Sequence, residues 1–161
     1  MPKLSLALAA VLALTGVANA ATLNEKNMPL DVATRLAQSA VEACAADKYN
    51  VSVAVVDRAG NLRALLRADA AGPHTLDSAT RKAYTSASTR TPTAVMVENI
   101  AKNPSAAELT TLEGFLVLAG GVPVKSGDET IGAIGVGGAP SGAIDEACAV
   151  AAIDANAELL Q

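Results

Sequence analysis

The sequence predicts an α+β fold: a single domain whose central antiparallel sheet, made of two hairpins, is flanked by helices. Three observations carry this. β-Branched runs occur in pairs, at 50–68 and 122–136, each pair joined by a short polar turn. Stretches with apolar residues at helical spacing precede, separate and follow them. The resulting order of helix, hairpin, helices, hairpin, helix favours antiparallel pairing over a doubly wound sheet.

The elements follow in order. Residues 28–48 read as a helix, with Pro29 suited to its first turn and Ala33, Leu36, Ala37, Ala40, Val41 and Cys44 on one face. The run from Asn50 to Asp57 reads as a buried strand. Asp57 to Asn61 makes a turn, with Gly60 free to take a positive φ, and Leu62 to Ala68 is the returning strand. After the break at Ala71-Gly72-Pro73, a helix is expected from Thr75, as N-cap, to about Arg90. Thr91 and Pro92 restart a second helix as its cap and first residue, ending near Asn103-Pro104. Residues 105–114 read as a loop with a short helical turn.

Phe115 to Leu118 reads as a short apolar strand broken by Gly120-Gly121, with Val122 to Lys125 continuing as an edge around Pro123. Ser126 to Glu129 turns into a strand over 130–136, where Gly132 and Ala133 leave one face thin enough for close approach of a helix or ligand. Gly137 to Gly142 leads into the last helix, capped by Ser141. Its expected apolar face is Ile144, Ala147, Cys148, Ala151, Ala152 and Ala155, with Asp145 and Glu146 favouring the positive end of its dipole.

The first twenty residues stand apart. Lys3, the apolar stretch from Leu4 to Val17 and the small-x-small triplet Ala18-Asn19-Ala20 read as a secretory signal peptide. The apolar run is shorter than the roughly 20 residues that a bilayer-spanning helix needs. Cleavage after Ala20 makes residues 21–161 the mature domain, soluble in the periplasm or secreted, with no membrane association after processing. About 140 residues suffice for one core. Tyr49, Tyr84 and Phe115 are the only aromatics, so that core is built from small aliphatic side chains, which favours stability gained by homo-oligomerisation. The net charge of −4 and the absence of a basic cluster argue against a nucleic-acid partner. The two cysteines, Cys44 and Cys148, read either as a disulfide permitted by export or as buried thiols.

Chemistry has few places to reside. His74, the only histidine, suits axial ligation of haem iron or proton transfer, and Asp77 lies three residues on to orient it. One histidine and two distant cysteines do not make a zinc site. Arg81, Lys82 and Arg90 give the same helix a positive side, either a solvated face or a partner for an acidic ligand. The segment Gly132 to Gly142 runs from a strand into a helix N-terminus, where amides could seat a carboxylate; tight packing is the alternative. It lacks the P-loop ending, and no Gly-x-Ser-x-Gly elbow supports a hydrolytic serine.

Taken together, Val53 to Leu62, Arg67-Ala68-Asp69, Lys82 to Ala87, Gly120 to Val124, Ile134 to Gly142 and Asp145 to Cys148 resemble the GlcG/HbpS haem-binding family, in order, over residues 28–160. The resemblance implies an oligomeric α+β domain and haem as the cofactor to test; the leading reading is redox sensing or haem handling, non-catalytic or at most haem-dependent in redox chemistry. Some relatives carry a proposed iron-binding histidine in the first helix; none lies between Met28 and Lys48 here. His74 is then the candidate axial ligand, ahead of a threonine, Tyr84 or Met96. Arg81, Lys82 and the Gly137-Gly138 region are candidates to meet propionates, and Tyr84 matches the family pattern. Two other readings remain: an enzyme or binding protein for a small organic acid, with His74 as acid/base and the glycine-rich helix start as carboxylate seat, or an oligomeric structural module without ligand.

Overall fold

The computed structural model describes residues 21–161; the signal expected at 1–20 lies outside the described residues. Helix α1 (Leu30–Ala46) leads into a hairpin of β1 (Ser52–Asp57) and β2 (Leu62–Arg67). Helices α2 (His74–Thr89) and α3 (Thr93–Lys102) follow, then a 3-10 segment (Pro104–Thr111). A second hairpin, β3 (Gly121–Ser126) and β4 (Glu129–Gly137), precedes α4 (Gly142–Ala155) and a short terminal 3-10 turn (Ala157–Leu160). The strands form one sheet in the order β2-β1-β4-β3, antiparallel throughout. This is the α+β, single-domain architecture expected. Both edge pairings contain a register shift, with the extra residue at Arg63 of β2 and at Ile131 of β4, and both edge strands carry cations, Arg63 and Arg67 on β2 and Lys125 on β3, which discourages edge-to-edge pairing.

The two faces of the sheet differ in the size of their side chains. Val53 and Val55 of β1 and Ile134 and Val136 of β4 meet α1 and α4 in the larger core. On the opposite face Ala54, Val56 and Ala133 meet Ala79, Ala83 and Ala87 of α2. Alternation along a strand puts Gly135 and Gly137 on that second face, beside α2. A Cβ at Gly135 would run into the carbonyl of Ala79 and the amide of Ala83, so α2 rests backbone-to-backbone on β4. The thin face, formed by Ala133, Gly135 and Gly137, is occupied by a helix, whereas Gly132, expected on it beside Ala133, lies on the larger-core side against Met28 because adjacent strand residues alternate faces.

Cys44 and Cys148 form a disulfide with Cα atoms 5.5 Å apart, tying α1 to α4 on the larger-core face. Of the two alternatives left by sequence, the bridge is the one realised. A loop of 104 residues closed in this way constrains the unfolded chain by several kcal/mol, about 2–5 in typical cases.

Four local expectations change. Phe115 to Leu118 is not a strand: Arg81 donates to the Phe115 carbonyl, the Leu116 amide donates to Thr85 Oγ1 (2.8 Å), and Leu118 turns back on Leu116 (3.0 Å). Its backbone groups are satisfied by α2, not by a ladder. Thr75 is not a cap; Pro73 already has helical angles, so the helix begins at His74 and Thr75 turns inward to Ser52 (2.7 Å). Pro92, not Thr91, occupies the cap position of α3, and Thr93 is buried against Gly121. The buried side of α4 is Asp145, Cys148, Ala149 and Ala152, which leaves Ala147, Ala151 and Ala155 exposed. The phase differs because Asp145, read as a dipole-facing surface charge, is inside. Ser141 caps α4 as expected, accepting from the Ile144 amide (3.3 Å).

Candidate functional site

Helix α2 carries four of the candidate residues, and its periodicity divides them. His74, Asp77, Arg81 and Tyr84 follow one another at intervals of three, four and three, on the side turned away from the sheet. His74 is exposed at the first helical position, its imidazole lying over Gly72. Arg81 is half-buried; one nitrogen donates to the Phe115 carbonyl (2.5 Å) and another stands 3.6 Å from Asp77. That second contact is an exposed i,i+4 pair, worth a few tenths of a kcal/mol. Tyr84 lies between the backbones of Gly60 and Gly114, and side chains at either glycine would strike its ring. It meets Phe115 edge-on, with centroids 6.1 Å apart and planes at 76°. Gly60, Thr80, Arg81, Tyr84, Glu113 and Gly114 enclose a concavity of about 280 Å³.

Lys82 lies elsewhere. It is 1% exposed, so the solvated-face expectation fails for this residue. Its ammonium donates to Asp145 Oδ2 (2.7 Å) and to the Val136 carbonyl (2.9 Å), joining α2 to α4 past the end of β4. Gly120, with φ +118°, closes over the pair; a Cβ there would come within 2.9 Å of the ammonium and 2.8 Å of Asp145 Cβ. Only a glycine combines that angle with that proximity.

The glycine-rich turn already holds a carboxylate. Asp145 accepts from the amide of Ala139 (3.0 Å) and from that of Gly138, in addition to Lys82. Gly137 packs against Ser78, and Gly138 against Asn50 and Thr75. The amides expected to seat a ligand's acid group thus face the chain's own Asp145. Burial pushes its carboxyl above the ordinary value, while Lys82 and the two amides draw it back. Glu146 is also pushed up by burial, against one hydrogen bond from the Gly120 amide; its Oε2 is buried and unpartnered. Among the described residues no cluster of histidine, cysteine and carboxylates could hold a bare metal ion.

Residues 28–154 match the family model described as haem degrading protein HbpS-like. The chain belongs to the HbpS-like family. The structure of a double mutant of HbpS from Streptomyces reticuli is 42% identical, covering 92% of this chain and 97% of that one, with a TM-score of 0.78. ORFY of Klebsiella pneumoniae is 25% identical over 83% of this chain and 92% of its own, also with a TM-score of 0.78. The structure of a PduOC:heme complex shares the fold at 24% identity, with a TM-score of 0.72 over 80% of this chain and 94% of that one. A search of curated proteins finds no match. Within this HbpS-like chain, the pairing of Lys82 with Asp145 is the feature that sequence reading missed. Its signal was present but ambiguous: Lys82 falls three residues after Ala79, on the stripe that faces the sheet.

Proposed function

We propose that this HbpS-like chain is an exported haem-binding protein that handles haem without catalysing its turnover. The observation that carries the reading is the outward side of α2. There a single exposed imidazole, His74, and a guanidinium, Arg81, share one side of a helix seven residues apart, about 10 Å of rise. At that separation His74 would hold a haem's iron while Arg81 would balance one of its carboxylates. Tyr84 and Phe115 supply an apolar edge beside Arg81. A haem bound there would contribute an iron centre for redox or ligand exchange; the chain's own residues orient it and balance its carboxylates.

One chain offers little more apolar surface at this place. Leu112 and Leu118, flanking Phe115, are each 48% exposed, and a second copy meeting them would cover the ligand and bury both. The disulfide between α1 and α4 supports export to an oxidising compartment. Lys82 and the Gly137-Gly138 turn are left out of the ligand contacts, because each already serves Asp145.

Haemin titration followed by visible absorbance tests the reading. The mature protein is expected to give a saturable, shifted Soret band that His74→Ala alters in position. Arg81→Gln is expected to leave the band in place and weaken binding about five-fold, as for loss of about 1 kcal/mol from one charge contact. A spectrum of free haemin alone in the wild-type protein overturns it.

A further inference from the structure

Residues 25–29 run across the turn ends of both hairpins before entering α1, with Asn27 and Glu25 on Arg58 and Lys26 near Ser126. Met28, 3% exposed, anchors this strap in the larger core. Asn27 Oδ1 accepts from the backbone amide of Arg58 (2.9 Å), fixing the strap to the β1–β2 turn. Just before that anchor, Glu25 lays its carboxylate on Arg58 Nε at 2.6 Å. Arg58 also donates to the Thr130 carbonyl (3.1 Å) and stands 3.5 Å from Glu129. The contacts beyond Glu25 are what keep the guanidinium in place.

A second arginine lines the same space. Arg90 ends α2 in the left-handed conformation, with φ 54° and ψ 29°. Glycine is the residue favoured there, and a non-glycine costs of order 1 kcal/mol. Among the described residues the Arg90 guanidinium has no ion-pair or hydrogen-bond partner. Arg58 and Arg90 line one cavity of about 470 Å³, together with Leu23, Asn24, Glu25 and Asn27. The lining supplies two cations, two side-chain amides and one carboxylate, and that carboxylate belongs to the strap.

We propose that Arg58 and Arg90 form a binding site for a small organic oxyanion, a carboxylate or phosphate ester, and that Glu25 occupies it as a tethered stand-in until the ligand displaces it. Three features converge. The donors match oxyanion chemistry, since guanidinium groups present forked N–H pairs to carboxylate or phosphate. The cavity is far larger than one carboxylate needs. Glu25 precedes the anchoring residues Asn27 and Met28, so it can leave Arg58 without unseating the strap. A tethered carboxylate competes at an effective concentration in the millimolar range, which keeps affinity for an external anion low while Glu25 is present. This site is separate from the outward side of α2 and stands or falls independently of haem.

Calorimetric titration at low ionic strength, with succinate and with inorganic phosphate, tests it on the mature protein. Glu25→Gln is expected to tighten binding of at least one probe about five-fold over wild type, the factor for releasing about 1 kcal/mol of competing contact. Preference for succinate marks a carboxylate ligand, and preference for phosphate a phosphate ester. Arg90→Gln in the Glu25→Gln background is expected to abolish most of that binding while leaving the melting temperature unchanged. Arg58 is left intact because it also holds the Thr130 carbonyl. No saturable heat from either probe with Glu25→Gln, equal affinities for Glu25→Gln and wild type, or binding unaffected by Arg90→Gln overturns the proposal.

Discussion

Two carboxylates of this chain sit on cations, and they do so in opposite ways. Asp145 is 3% exposed, rides on α4, and receives Lys82 and the amides of Gly138 and Ala139 under the cover of Gly120. The Glu25 side chain is 38% exposed, rides on an irregular strap, and meets a single guanidinium. The inner pair holds two helical layers together around the end of a strand. Exchange with solvent there would leave a charge in the core. The outer pair can open toward water at little cost. Burial and number of donors, more than distance, separate a fixed element of the fold from a replaceable contact, since the two pairs are 2.7 Å and 2.6 Å long.

Substitutions at the two places should therefore differ most. Lys82→Met leaves Asp145 without its cation in the core and is expected to cost about 3–5 kcal/mol in denaturant unfolding. Restoring a matched apolar pair with Lys82→Met/Asp145→Leu should recover much of that loss. If Lys82→Met alone were neutral, the inner pair would be no more structural than the outer one. Glu25→Gln should change stability by less than about 1 kcal/mol under the same conditions. A larger loss would make the strap contact part of the core and blur the contrast.

The smallest effect concerns pH. Burial raises the Glu146 carboxyl above 4.5, so the native chain holds that proton to higher pH than the unfolded chain does. The associated stability is present below 4.5 and is lost as pH rises through the raised native value. Glu146→Gln should remove that decline, giving a flatter melting-temperature profile above pH 4.5, with the gain over wild type growing toward neutral pH. A profile parallel to wild type would show that Glu146 is as well solvated as a surface carboxylate.

Much of the fold was legible because strands and helices here obey their periods. The β-branched run from Asn50 to Asp57 announced a buried strand, and β1 is buried along its whole length; Ser141 announced the start of α4. Phe115 to Leu118 misled because apolar residues alone do not reveal where backbone groups find partners; Thr85 and Arg81, some thirty residues earlier, supply them. The stripe of α4 was read out of phase because a charged residue was placed outside by default. The candidate site was legible in part. His74, Arg81 and Tyr84 share a side of α2, which spacing alone conveys. That Lys82 lies inside depended on a partner sixty-three residues away, beyond the reach of local pattern.

The contact of α2 with β4 bears on how any ligand would be held. Since Gly135 lets backbone meet backbone, no flexible side chain lies between this helix and the strand to absorb displacement. The helix that presents His74 and Arg81 is mounted directly on a central strand of the sheet, which ties the placement of its outward residues to that strand. Enlarging Gly135 to alanine would act as a shim under α2, tilting the imidazole and the guanidinium together without touching either.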